Sequence, residues 1–229
     1  MKFDPPLIEA EFVSRPNRFA AVVKLRGEEI RVHVPDPGRM KELLIPGCQV
    51  FLKESRGEGR KTSHTLALTR PDCALVSTDT HLANKLVREA LRARAFAPFA
   101  ACSSFDEEVT VGDCRLDFAL DLPDGRRHVE VKSVTLVVEG VARFPDAPTA
   151  RGAKHMRTLA GLARRGEKAS VVFVVQRSDA AAFAPNDALD PAFGSALRDA
   201  ASCGVDVHAV ACRMSMEEVE LASELPVLL

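Results

Sequence analysis

The sequence predicts a two-part α+β chain: a small antiparallel β-barrel over residues 1–80, then an α/β layer domain with a central mixed sheet over residues 81–229. Three observations carry this expectation. Up to about residue 78, short apolar runs alternate with turn signals; near residue 81 an apolar stripe of helical period begins; after it, strand-like and helix-like runs alternate.

In the first part the runs are LIEAEFV, FAAVVKL, IRVHV, CQVFLK, HTLALT and ALVST, a spacing that suits a small barrel. Between the third and fourth, PDPGRMKELLIPG is too polar and proline-rich for a strand, and its MKELL core predicts one helical turn or two. A five-stranded barrel with a short helix there is OB-like; an SH3-like barrel would read almost the same. In the second part, HLANKLVREALRARAF places Leu82, Leu86 and Ala90 on one stripe with Ala83, Val87 and Leu91 beside them, behind Thr80 as a cap candidate. EEVTVG, CRLDFAL and HVEVKSVTLVV then read as strands and TARGAKHMRTLAGLARRG as a helix. ASVVFVVQ reads as a buried strand, PAFGSALRDAASCG as a helix and VDVHAVAC as a last strand; DAAAFAPNDALDPAF reads as a loop.

Composition narrows the function classes. With 46% apolar and 28% charged residues in 229, the chain is an ordinary globular protein. Net charge of −1 counts against a general polyanion binder. The start, MKFDPPLIEA, lacks the basic and apolar regions of a signal peptide, and no run approaches a membrane span. Six cysteines scattered without C-x-x-C spacing predict a reducing cytoplasm and no zinc site. Without Trp or Tyr, only Phe and His offer rings on which bases could stack. A small-molecule phosphate enzyme is the weaker reading, since neither a G-x-x-x-x-G-K-[ST] loop nor a G-x-G-x-x-G turn is present.

The stretch LDFALDLPDGRRHVEVKSVTL carries the candidate chemistry. Asp124-Gly125 is a two-residue hairpin signal, and a type I′ turn there sets Asp117 opposite Lys132, with Glu130 on the same face. A register shifted by one residue would turn Asp117 away. Two neighbouring carboxylates repel unless protonated or bridged, and a hard divalent cation bridges them well. Mg²⁺ is the expected cofactor, with Mn²⁺ as the alternative, held by Asp117 and Glu130. Lys132 would orient an attacking water or stabilise charge on a phosphorane-like transition state, so the implied reaction is phosphodiester hydrolysis. The ordinary alternative is a surface Asp–Lys pair worth ~0.2–1 kcal/mol. Against it stands the apolar character of VEVKSVTLVV, which predicts an interior strand where unpaired charge is costly. Glu89, at the edge of the helical stripe, and Glu108, on the strand before Asp117, are further candidate acids. Glu89 equally suits an ion pair with Arg92, and Glu108 a solvated acidic face. His155 follows Arg151 by one helical turn and is a candidate phosphate contact.

With these residues in place, the chain resembles the sugar fermentation stimulation protein A (SfsA) family from end to end. The matching stretches are SRPNRFAAVV, VPDPGRM, KTSHT, ANKLVREAL, RLDFAL, VEVKSVTL, FPDAPTARGAKH and the terminal LPVLL. The resemblance implies an N-terminal OB-like domain joined to a PD-(D/E)xK nuclease-like domain, although Leu116 rather than proline precedes Asp117. Carried over by position, it implies a catalytic set of Asp117, Glu130 and Lys132, with Glu89 and Glu108 as additional acids. It also implies a nucleic-acid partner, DNA in the first place, and a link to sugar utilisation, particularly maltose. Arg18, Arg39, Lys61 and His64 then become expected nucleic-acid contacts, through phosphate more than base edges. Arg151, Lys154 and His155, on the first turns of a helix capped by Thr149, join them. Two functions follow: a metal-dependent nuclease, or a non-cleaving DNA-binding regulator on a nuclease fold. Intact Asp117, Glu130 and Lys132 favour the enzyme.

Overall fold

The structure, a computed structural model, describes residues 1–55 and 62–229; Lys61, an expected phosphate contact, lies outside the described residues. The alternating runs of the N-terminal part form β1 (Ile8–Asn17), β2 (Ala20–Leu25), β3 (Glu28–His33), β4 (Gln49–Glu54), β5 (His64–Arg70) and a two-residue β6 (Val76–Ser77). Their order is β3-β2-β1-β4-β5-β6, and a parallel bridge between His33 of β3 and Thr65 of β5 closes β1 to β5 into a barrel. The remaining neighbours are antiparallel. This connectivity is that of an OB barrel and settles the choice between the two barrel types. Arg26 and Gly27, at φ of +53° and +91°, make the tight β2–β3 turn that a right-twisted hairpin needs. The PDPGRMKELLIPG segment forms a single turn, with the Leu44 N–H donating to the Met40 carbonyl at 2.9 Å. That turn buries Met40, Leu43 and Leu44 against Val23, Val50 and Leu66 in the barrel core.

The second part begins with α1 (His81–Ala93), where Asp79 Oδ1 accepts from the His81 N–H at 2.9 Å. There follow β7 (Ser104–Val111), β8 (Cys114–Leu122), β9 (Gly125–Val134), β10 (Leu136–Val138), β11 (Val141–Phe144), α2 (Ala150–Arg164) and β12 (Lys168–Val175). The chain then forms β13 (Ala182–Pro185), α3 (Pro191–Ser202), β14 (Asp206–Met214) and β15 (Val219–Glu224). The main sheet has the order β15-β14-β12-β9-β8-β7. Because β9 runs antiparallel to β8 and parallel to β12, the sheet is mixed and β9 is interior to it.

Two local expectations change. HVEVKSVTLVV is not one strand: it breaks at Thr135, and its end, β10, joins a separate sheet of order β10-β11-β13. DAAAFAPNDALDPAF is not merely a loop, since it contains β13, which pairs in parallel with β11. An Ala- and Pro-rich tetrad has little strand propensity of its own, and its partner is remote in sequence.

The chain divides into two compact units. One is Met1–Leu82 with Gln176–Ser178 and Cys212–Glu220; the other is Ala83–Val175 with Asp179–Ala211 and Leu221–Leu229. The sequence-based partition at residue 80 kept all of 81–229 together. Residues 176–178 and 212–220 instead sit with the first unit, where Met214 and Met216 pack on Phe51, Leu68 and Leu75.

The core of the second unit lies between the main sheet and the helices. Met156 and Leu159 of α2 meet Val171, Phe173 and Val175 of β12 and Phe193 and Leu197 of α3. Thr149 caps α2 as expected, its Oγ1 accepting from the Gly152 N–H at 3.0 Å. Asp190 ties both helix starts together: Oδ1 accepts from the Phe193 N–H at 2.9 Å and Oδ2 from the Thr149 N–H at 2.8 Å. Asp190→Ala removes the α3 cap and leaves the Thr149 N–H without its acceptor. It is expected to lower stability by about 1–3 kcal/mol, read as a lower urea midpoint with unchanged m-value.

Candidate active site

The site is built where the β8–β9 hairpin stops pairing. The turn places Pro123 and Asp124 at its centre, with Leu122 facing Gly125 at φ +121°. A type I′ turn centred on Asp124-Gly125 would instead put Pro123 in the closing pair, where a backbone N–H is needed that proline lacks. Pro123 suits the first central position, where its fixed φ is pre-set. The register is therefore displaced by two residues: Phe118 faces Val129, not Val131. An even displacement leaves every side chain on its face of the sheet, so Asp117 loses Lys132 as its opposite number but not its place beside the pair.

Past Phe118 and Val129 the ladder ends, and Asp117 takes over from the backbone. Its Oδ2 accepts from the Val131 N–H at 2.8 Å, and its Oδ1 from Asn84 Nδ2 at 2.7 Å. Glu130, 3% exposed, has its Oε1 hydrogen-bonded by both Lys132 Nζ and His155 Nδ1. Its other oxygen, Oε2, is buried with no hydrogen-bond partner.

The electrostatics of the two carboxyls diverge. Burial, and then the neighbouring Glu130 charge, push Asp117 above the usual aspartate range, against the pull of the Val131 N–H, Asn84 and Lys132. Burial acts most strongly on Glu130 as well, in the upward direction. The hydrogen bond to His155, together with the hydrogen bond and charge of Lys132, outweighs it, and Glu130 is held below its ordinary value. Among the described residues no group of three or more His, Cys, Asp or Glu side chains is arranged to hold a metal. The acidic groups left at the site are the two neighbouring carboxyls of Asp117 and Glu130, oxygen donors of the kind a hard divalent cation takes.

Not every expected residue joins the pair. Glu108 sits at φ +56° and points to Arg115 at 3.4 Å, with its side chain 67% exposed. Glu89 lies on the exposed face of α1. An α1 side chain does reach Asp117, that of Asn84, a half-buried polar residue at the edge of the apolar stripe that sequence reasoning passed over. His155 is not a surface phosphate contact: it is 4% exposed, on the buried face of α2 with Gly152 and Met156, and it meets Glu130 instead. Arg151 is exposed, with its Nε 3.5 Å from His155 Nε2. Lys154 is exposed and paired with Asp113 at 2.7 Å.

On the barrel, the Arg18 guanidinium lies over the exposed Phe19 ring, 5.9 Å from its centroid. His64 Nδ1 is 2.9 Å from Ser63 Oγ. Arg39 belongs to a loop held by Arg15, a residue the sequence did not single out. The Arg15 guanidinium donates to the carbonyls of Arg18 at 2.8 Å, Asp36 at 2.8 Å, Gly38 at 2.6 Å and Arg39 at 2.7 Å. Asp36 closes the loop by accepting from the Gly38 N–H at 2.6 Å.

Comparisons with known proteins agree with this architecture. Residues 13–78 match the model of the SfsA N-terminal OB domain, and residues 81–218 that of the sugar fermentation stimulation protein RE domain. A sugar fermentation stimulation protein homolog of Moorella thermoacetica is 45% identical over 218 residues, covering 94% of each chain. A homolog of Clostridium acetobutylicum is 41% identical over 230 residues, covering 100% of each. The structure of Pyrococcus furiosus SfsA, solved in complex with Ca²⁺, superposes with a TM-score of 0.90 at 28% identity, covering 100% of this chain and 98% of that one. With both domain models matched in order along its length, this chain belongs to the SfsA family, an OB domain followed by a restriction endonuclease-like domain.

Proposed function

We propose that the C-terminal unit is a divalent-metal-dependent phosphodiesterase acting on nucleic acid, with DNA as the first substrate to test. The observation that carries this reading is Glu130: an ionised carboxylate held on one oxygen by Lys132 and His155 while the other is buried and unpartnered, next to Asp117. A buried anionic oxygen without a partner is costly, and a cation shared with Asp117 removes that cost. Hard carboxylate oxygens suit Mg²⁺ or Mn²⁺, and the Ca²⁺ complex of the Pyrococcus furiosus relative supports a divalent cation. When bound, the cation supplies Lewis acidity to a phosphate oxygen and acidifies a water.

The chain's own residues do the rest. Asn84 and the Val131 N–H fix the Asp117 carboxylate. Lys132, its side chain 14% exposed, stands beside the pair to stabilise charge growing on phosphate or to orient the attacking water. Arg151 and Lys154, exposed on the first turns of α2, and Arg18, Arg39 and His64 on the barrel, supply backbone contacts.

The test compares cleavage of labelled single-stranded, duplex and structured nucleic acids with Mg²⁺, with Mn²⁺ and with chelator. Cleavage is expected only with metal, and Lys132→Ala is expected to slow it by about 10²–10³-fold. Cleavage that survives both Lys132→Ala and Asp117→Asn would reject the site. Binding without cleavage under every condition would instead favour a regulator that keeps the fold without turnover.

A further inference from the structure

His155 reaches Glu130 from the next helix, and both of its ring nitrogens are engaged. Nδ1 meets Glu130 Oε1, and Nε2 lies 3.5 Å from the Nε of Arg151, one helical turn earlier. An arginine Nε carries a proton that it does not release, so Nε2 faces it with a lone pair and the ring proton sits on Nδ1. The ring is then a donor to Glu130 and cannot itself be a metal ligand without giving up one of these bonds. With a side chain 6% exposed, packed on the α2 face that carries Gly152 and Met156, it has little freedom to turn.

Glu130 Oε1 therefore receives two donors, from Lys132 and His155, and Oε2 receives none. A glutamate side chain left to itself rotates about its last torsion and exchanges its two oxygens. Two fixed donors on one oxygen stop that exchange and assign the other oxygen to whatever enters the site.

We propose that His155 is a positioning residue for Glu130: with its tautomer set by Arg151, it pins Oε1 so that Oε2 is presented to the divalent cation. This rests on the cation-binding reading of the Asp117–Glu130 pair. A partner of this kind orients the ligand before the metal arrives, and its loss typically costs about 10–100-fold in metal affinity. The competing role is steric: an imidazole that only fills space under α2.

The experiment titrates Mn²⁺ into the purified full-length protein and follows free Mn²⁺ by electron paramagnetic resonance, with no substrate present. His155→Leu, which fills the space without a donor, is expected to weaken binding by about 10–100-fold. His155→Asn, whose amide nitrogen falls near the Nδ1 position, is expected to restore most of it. Equal affinity in wild type and His155→Leu overturns the proposal, as does an equal loss in His155→Leu and His155→Asn. Wild type that binds no Mn²⁺ defeats the cation-binding reading itself, and the proposal with it. A second measurement needs no variant to fold: ¹⁵N–¹H spectra of the metal-free wild type are expected to show the His155 proton on Nδ1, and a proton on Nε2 alone overturns the assignment.

Discussion

Phe173→Ala is expected to destabilise the second unit by about 3–5 kcal/mol, the range for removing a fully buried phenyl ring. Phe173 has 0% exposure and stacks on Phe183 with ring centroids 4.1 Å apart, while Phe144 and Phe193 stand at 5.7 and 6.4 Å. These neighbours come from separately anchored elements. Phe193 follows the Asp190 cap, and Phe183 is bridged to Val227. The walls are thus poorly placed to relax into the void, which puts the cost toward the upper end of the range. Phe173 also faces Lys132 across the β12–β9 ladder, so the void opens beside the strand that bears the site. Urea unfolding measures the effect. A loss below about 1 kcal/mol would mean that the cluster collapses freely and is not rigid in the way described.

Asp117→Asn is expected to abolish metal-dependent cleavage and, in metal-free protein, to raise stability at neutral pH. An aspartate whose folded pKa is raised binds its proton more tightly in the folded state. Stability is then lost as pH rises from the ordinary aspartate value, about 3.9, through the folded value, and the deficit persists at higher pH. Asparagine carries no charge to repel Glu130, so the variant escapes that deficit, and its advantage vanishes below about pH 4. Both hydrogen bonds survive the change: the new amide accepts from the Val131 N–H with its oxygen and donates to Asn84 once the Asn84 amide flips. Glu130→Gln is the opposite case. The Glu130 pKa is lowered, so its contribution is present above about pH 4.3 and lost as pH falls through the folded value. Thermal melts from pH 3 to 8, with and without Mn²⁺, separate the two. Metal at about 100 times its dissociation constant should stabilise wild type by about 2.7 kcal/mol and leave Asp117→Asn nearly unmoved. An Asp117→Asn protein less stable than wild type at pH 7 without metal would contradict the electrostatic account.

What the sequence revealed depended on how local each cause was. Glu130 and Lys132 stood out because β-branched residues surround them, and an interior strand has to justify its charges. The OB barrel's strands were readable from period and turns, whereas its closure depends on one bridge between His33 and Thr65 that no local pattern encodes. The hairpin register went astray on one residue, Pro123, whose missing N–H outweighs the pull of Asp124-Gly125 toward a type I′ turn. Asn84 was passed over, and His155 misread, for a different reason. Their partners lie 33 and 25 residues away, and a polar residue on an apolar helix face shows its purpose only once that face has a neighbour. Glu89 and Glu108 looked equally eligible by position, and the backbone at Glu108, with φ +56°, turns its side chain elsewhere.

The end of the β8–β9 ladder bears on how this protein should be probed. Beyond Phe118 and Val129, the Asp117 carboxylate substitutes for a strand, giving the Val131 amide the acceptor that the neighbouring backbone no longer provides. Alanine at 117 would therefore do two things at once, deleting a charge and unhitching a main-chain donor, and a loss of the proposed cleavage would report either. An isosteric amide separates chemistry from scaffolding, and alanine scanning across this fork would blur them.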